Sequence, residues 1–147
     1  PICYRGSFGK TIILGMKERG GDVMTRVVPD QKKATLHSVV VENVEAGGQV
    51  HTDELASYRG LDKYGYQHAS VNHTAEEYAH YDWRLASTVS VNGIEGFWSQ
   101  LKRGINGTHI HVSAKHLPKY LAEFEFRHNH RDVPHLMIGR LMTAFSR

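Results

Sequence analysis

The stretch N-G-I-E-G-F-W-S-Q-L-K-R-G-I, residues 92 to 105, decides the fold because two stripes of different chemistry run along it. At about 100° per residue on a helix, Ile94, Phe97, Trp98, Leu101 and Ile105 fall on one side, the i, i+3, i+4, i+7 pattern of a helix facing a core. Asn92, Glu95, Ser99 and Lys102 form a second stripe roughly 80 to 160° round from the first. Glu95 and Lys102 therefore point the same way two turns apart. That spacing is too long for a direct i,i+4 ion pair, so pairing does not explain why both are there. The helix then runs into K-R-G-I-N-G-T-H-I-H, a basic, Gly-punctuated and His-rich stretch that suits a surface meeting phosphate.

Upstream, K-T-I-I-L-G-M, the turn E-R-G-G and D-V-M-T-R-V-V predict an antiparallel hairpin. Asp30 is placed to cap a helix with Leu36, Val39, Val40 and Val44 at helical spacing, ended by Gly47 and Gly48. Q-V-H-T-D-E reads as a short strand closing on two acids, followed by a short helix through Tyr58. Past a turn at Gly65, Y-Q-H-A-S-V reads as another strand, and H-T-A-E-E-Y-A-H-Y-D-W-R as loop or short helix. Downstream, one helix starts near Pro118 with Leu117, Tyr120, Leu121 and Phe124 on one face. Another starts at Pro134 with Leu136, Met137, Leu141 and Phe145, each Pro suiting a first-turn position. Strands, then β/α alternation, then helices predict an α/β chain, a mixed sheet with helices packed on it.

The 147 residues suffice for one domain, 1–147, with a core of its own. A single cysteine, Cys3, excludes an internal disulfide and a Cys-based zinc site, and it is read as inert. No apolar run approaches the roughly 20 residues of a membrane span, and the N-terminal residues lack the apolar core of a signal peptide. A cytoplasmic location without membrane association is the expectation. Net charge is only +3, but it is unevenly spread. From Leu101 onward eight bases (Lys102, Arg103, Lys115, Lys119, Arg127, Arg131, Arg140, Arg147) face three acids (Glu123, Glu125, Asp132). Between Glu42 and Asp82 the balance reverses, suggesting an acidic pocket beside a basic track.

Asp53 sits at the end of a predicted strand and Glu95 in the first turn of a helix. Carboxylates on adjoining elements can share divalent cations, since Mg²⁺ takes one or two carboxylates plus water and substrate phosphate. Two such ions can clamp the attacking and leaving oxygens of an in-line phosphoryl displacement. Lys102, two turns along the same face, would lie where DNA approaches them.

H-T-D-E-L-A-S-Y, V-N-H, N-G-I-E-G-F-W-S-Q-L-K-R-G-I-N-G-T and H-V-S-A-K-H-L-P-K-Y-L-A-E-F-E-F-R-H-N-H-R, in that order, resemble the catalytic domain of bacterial insertion-sequence transposases of the DDE class, the ISXO-like group. The resemblance covers nearly the whole chain. It implies an RNase H-like fold, a site dependent on Mg²⁺ or Mn²⁺, and DNA strand cleavage followed by strand transfer at insertion-sequence ends. It makes Asp53 the second catalytic carboxylate and Glu95 the third, both metal ligands, and Lys102 the base that follows. DNA is the implied partner, and a homodimer is compatible with it.

Two departures accompany the resemblance. The family's first Asp lies on a strand upstream of G-K-T-I-I-L-G, and it is absent from these residues, so the expected sheet lacks its first strand. Ser90 stands where related sequences often have His. Some members use Asn in place of the third acid, which leaves Asn92, one turn before Glu95 on the same stripe, as an alternative ligand. A competing reading is an inactive truncated remnant that binds DNA or a protein partner without cutting.

The eleven histidines raise the question of a metal site. His109 and His111 would share a face if that segment were a strand. The reading preferred here is that His109, His111 and His116, with Thr108, Ser113, Lys115 and Lys119, donate to phosphate oxygens alongside Lys102 and Arg103. Trp98, on the apolar stripe, is read as core rather than as a base-stacking platform.

Overall fold

A computed structural model describes residues 11–72, 79–109 and 112–144, without the side chains of residues 108, 109 and 144. Cys3, His111 and Phe145, and the loop-or-helix reading of residues 73–78, lie outside the described residues. Among the described residues, six strands and four α-helices follow in the order β1 (Ile12–Lys17), β2 (Val23–Val28), α1 (Lys33–Asn43), β3 (Gln49–Thr52), β4 (Gln67–Ser70), β5 (Ala79–Asp82), β6 (Ser87–Ser90), α2 (Asn92–Gly104), α3 (Leu117–Asn129) and α4 (Met137–Ala144).

The β1–β2 hairpin forms as its alternating apolar residues predict, in antiparallel register from Ile12 opposite Val28 to Lys17 opposite Val23. Side chains alternate across a strand, and here both faces are covered. Leu14 and Val28 on one face pack with Leu36 and Val40 of α1 and with Tyr58, Leu61 and Tyr66. Val23 and Ile13 on the other join Ile94, Phe97, Trp98 and Leu101 of α2 and Leu121 of α3. The apolar stripe of the 92–105 stretch is thus core, and Trp98 is only 3% exposed. Gly15 is where β1 crosses the indole: a Cβ there would overlap the Trp98 ring. The absence of a side chain lets helix and hairpin close on each other.

The outer edge of β2 is covered by side chains of α3. Asn129 accepts from Val23 N at 2.8 Å and donates to Val23 O at 2.9 Å. Glu125 accepts from Thr25 N at 2.6 Å and from the Thr25 hydroxyl. Backbone groups that a neighbouring strand would otherwise satisfy are paired by a helix.

Several expectations are corrected. The described strands form three two-stranded ladders rather than one mixed sheet: β1–β2 antiparallel, β3–β4 parallel and β5–β6 antiparallel. Residues 79–82 are strand, not loop or helix, and pair with β6. The polar sequence A-H-Y-D hid this, because Asp82 looks solvent-facing. It is instead buried, accepting Arg84 N at 2.8 Å and a fork from the Arg84 guanidinium at 3.2 and 2.8 Å. The first residue before α1 is Lys32, not Asp30. Asp30 still braces that end, accepting Lys32 N at 3.0 Å and Thr35 Oγ1 at 2.6 Å. Residues Ile105–His109 continue α2 as a π-helical turn, which removes the strand geometry that would put His109 and His111 on one face. The helix expected at Pro134 begins as a 3-10 turn, Pro134–Leu136, and α4 leaves Ile138, Leu141 and Met142 exposed.

Candidate functional site

Side-chain contacts of Gln49 and Arg19 show how β3 lies against β6. Gln49, at the start of β3, donates to Leu85 O at 3.1 Å, just ahead of β6. Arg19, from the β1–β2 turn, meets His51 Nδ1 at 3.2 Å and donates to Thr88 O at 2.6 Å. Both contacts advance together along the two strands, so β3 and β6 run the same way. Asp53, just past β3, and Asn92, just past β6, therefore leave the ladders at the same end. Ala69 and Val71 pack against Val89 and hold β4 to β6 beneath them.

Asp53 is half-buried, and its Oδ1 accepts Leu55 N at 3.2 Å. The hydroxyl of Thr52 donates to Asp53 O at 2.8 Å and lies 2.9 Å from His68 Nε2. A hydroxyl has one hydrogen to give. With it committed to Asp53 O, the His68 Nε2 must carry the proton toward Thr52. Burial pushes the His68 pKa down, which keeps the ring in that neutral form. His51 is also held down, first by burial and then by Arg19, His80 and His68, with Asp82 opposing. The neighbourhood of Asp53 is built from neutral imidazoles.

Glu95 is half-buried in the first turn of α2, and Asn92 is exposed at its start. Ser90, where the family pattern often has His, accepts Asn92 N through its hydroxyl at 3.2 Å and helps to secure that turn. Lys102 and Arg103 are exposed in the last turn of α2. Lys115, His116 and Lys119 are exposed before and within the first turn of α3. His116 and Lys119, with Tyr120 and Glu123, line an open cleft of about 250 Å³. The backbone of His109 ends the π-helical turn, and His111 lies outside the described residues. Among the described residues no three His, Cys, Asp or Glu side chains gather closely enough to hold a metal ion. None of the described helices is long and apolar enough to cross a membrane.

Sequence reading missed Arg19, which ties the first hairpin to β3 and β6, and the edge-covering pair Glu125 and Asn129. The latter left a signal: an acid and an amide one helical turn apart, beside the apolar positions Leu121 and Phe124.

Residues 4–129 match the family model described as the ISXO2-like transposase domain. An "uncharacterized transposase-like protein" of Haemophilus influenzae is 32% identical over 114 residues, 76% of this chain and 84% of its own length. No solved structure matches the chain.

Proposed function

The chain belongs to the ISXO2-like transposase family, and on that premise we propose that it is a DDE-class catalytic domain that cuts and rejoins DNA at insertion-sequence ends. The finer fold that goes with this reading is RNase H-like. The single observation that carries the proposal is the shared end of β3 and β6, from which Asp53 and the first turn of α2 both emerge.

In this reading Asp53 and Glu95 hold a divalent ion, Mg²⁺ or Mn²⁺, with Asn92 as the alternative to Glu95. The donor set suits such a hard cation: carboxylate oxygens, with water and phosphate oxygens completing the shell. When bound, the ion supplies charge stabilisation at the attacking and leaving oxygens of the phosphodiester. The protein's own groups do the rest. Leu55 N fixes one carboxylate oxygen of Asp53, and the Thr52 hydroxyl anchors the Asp53 backbone. Lys102 and Arg103, followed by Lys115, His116 and Lys119, lay the DNA backbone along α2 and α3 by phosphate contacts that position without reading sequence.

The test is strand cleavage by the full-length protein encoded by its gene, on DNA carrying the flanking ends of its own element, with Mg²⁺ or Mn²⁺. Cleavage by the wild type that disappears in Asp53→Ala and in Glu95→Ala, with folding retained, supports the reading. Cleavage that survives both substitutions refutes it.

A further inference from the structure

Lys17, the last residue of β1, shares a strand face with Ile13 and Gly15 and so points toward α2 and α3. Its side chain lies across the first turn of α2. The Cδ, Cε and Nζ atoms come to 3.3, 3.6 and 3.8 Å from the point a Cβ would occupy on Gly93. Gly93 separates Asn92 from Ile94, and Glu95 follows two residues later. A Cβ at 93 would sit in close contact with the lysine stem, which shows how nearly that stem lies against the first turn.

Arg131 reaches the same corner from the other end of the chain. Asn129 clamps Val23, the residue opposite Lys17. Two residues on, Arg131 donates to His128 O at 2.8 Å and approaches Gly21 O at 3.5 Å. Its ion pair with Asp132 is loose, at 3.5 Å, with Asp132 81% exposed. The ammonium of Lys17 has no hydrogen-bond or ion-pair partner among the described residues. Burial, and then the charge of Arg131, hold its pKa below the usual lysine value. His128, whose ring stands edge-on to Phe97, is kept neutral by burial and by the same two cations, with Asp22 and Asp132 opposing.

A half-buried lysine without a partner of its own among the described residues, near an arginine paired only loosely with the exposed Asp132, is an arrangement that an anion would stabilise. We propose that Lys17 and Arg131 form a seat for one DNA backbone phosphate at the first turn of α2. They are positioning residues that hold the strand in register with Asp53 and Glu95. This rests on the DNA-cutting reading above and adds to it a contact from the first hairpin, far from the basic stretch that follows α2.

The experiment measures affinity of the full-length protein for a fluorescent DNA duplex over a range of salt. Lys17→Gln and Arg131→Gln should each weaken binding roughly tenfold, the size of a charge-assisted hydrogen bond. Each should also flatten the slope of log K against log salt by about 0.9, one phosphate contact. Lys17→Arg should retain both quantities. Lys32→Gln, which removes an equal charge from the start of α1, should leave the slope alone. Wild-type binding with an unchanged slope in Lys17→Gln would overturn the seat and leave the DNA reading standing, whereas no DNA binding by the wild type would overturn both. Should Lys17→Gln lose its cooperative melt, Arg131→Gln decides by the same two readings.

Discussion

Asn129 holds Val23 by both of its backbone groups, N–H at 2.8 Å and C=O at 2.9 Å, across 106 positions of sequence. One side chain thereby ties the last turn of α3 to the edge of the first hairpin and sets where Arg131 and His128 lie relative to Lys17. Asn129→Ala strands a donor and an acceptor together, so it should cost about 1–3 kcal/mol. Chemical denaturation should show the loss as a lower midpoint with an unchanged slope. An unshifted midpoint would mean that water replaces the amide without loss.

Gly15 is set by the indole above it. Gly15→Ala should destabilise by about 1–3 kcal/mol through overpacking, although alanine ordinarily suits a strand better than glycine does. A double variant, Gly15→Ala with Trp98→Phe, should recover part of the loss. Additive losses in that pair would show that the two residues do not share a contact.

Four histidines set the acid limit of the fold. Burial lowers His37, His51, His68 and His128 below the ordinary value of 6.5. The unfolded chain therefore takes up these protons first as pH falls. Their contribution is fully present above about pH 6.5 and is lost progressively below it. The thermal midpoint should stay level from pH 8 to 7 and drop between pH 6.5 and 5, at ~2–4 °C per kcal/mol for a chain of this length. A second loss is expected near pH 3, since the Arg84 fork holds Asp82 at about 2 against 3.8 unfolded. A midpoint that rises on acidification from 6.5 would contradict the assignment of neutral rings.

The basic track predicts a graded effect. Lys102→Glu and Lys119→Glu should each weaken duplex binding by a similar factor for any sequence, because phosphate contacts carry no sequence information. Binding by competing duplexes of unrelated sequence is the check, and a loss confined to one sequence would make these residues readers of bases.

Much of this architecture was legible where burial follows a simple period. The alternation in Ile12–Lys17 and Val23–Val28 gave the hairpin, and the spacing of Ile94, Phe97, Trp98 and Leu101 gave the face of α2 that is buried. What was not legible depended on partners distant in sequence. Asp82 reads as a solvent residue until Arg84 folds back over it, so β5 went unseen. Residues 105–109 carry two β-branched side chains and a glycine, which say little about whether α2 continues. In the candidate site, the types and order of Asp53, Asn92, Glu95 and Lys102 were readable from the chain. The common direction of β3 and β6 rests on Gln49 and Arg19 and could not be. Lys17 gave no signal at all, being one lysine at a strand end.

The central claim, that Asp53 and Glu95 share a divalent ion, is tested most directly by Mn²⁺ titration of the full-length protein followed by electron paramagnetic resonance. Asp53→Ala and Glu95→Ala should each weaken Mn²⁺ binding at least about tenfold, the loss typical of removing one carboxylate from a small oxygen-donor shell. If Asn92 is the ligand in place of Glu95, Asn92→Ala takes over that loss. Mn²⁺ affinity that is the same in the wild type, Asp53→Ala and Glu95→Ala would contradict the account.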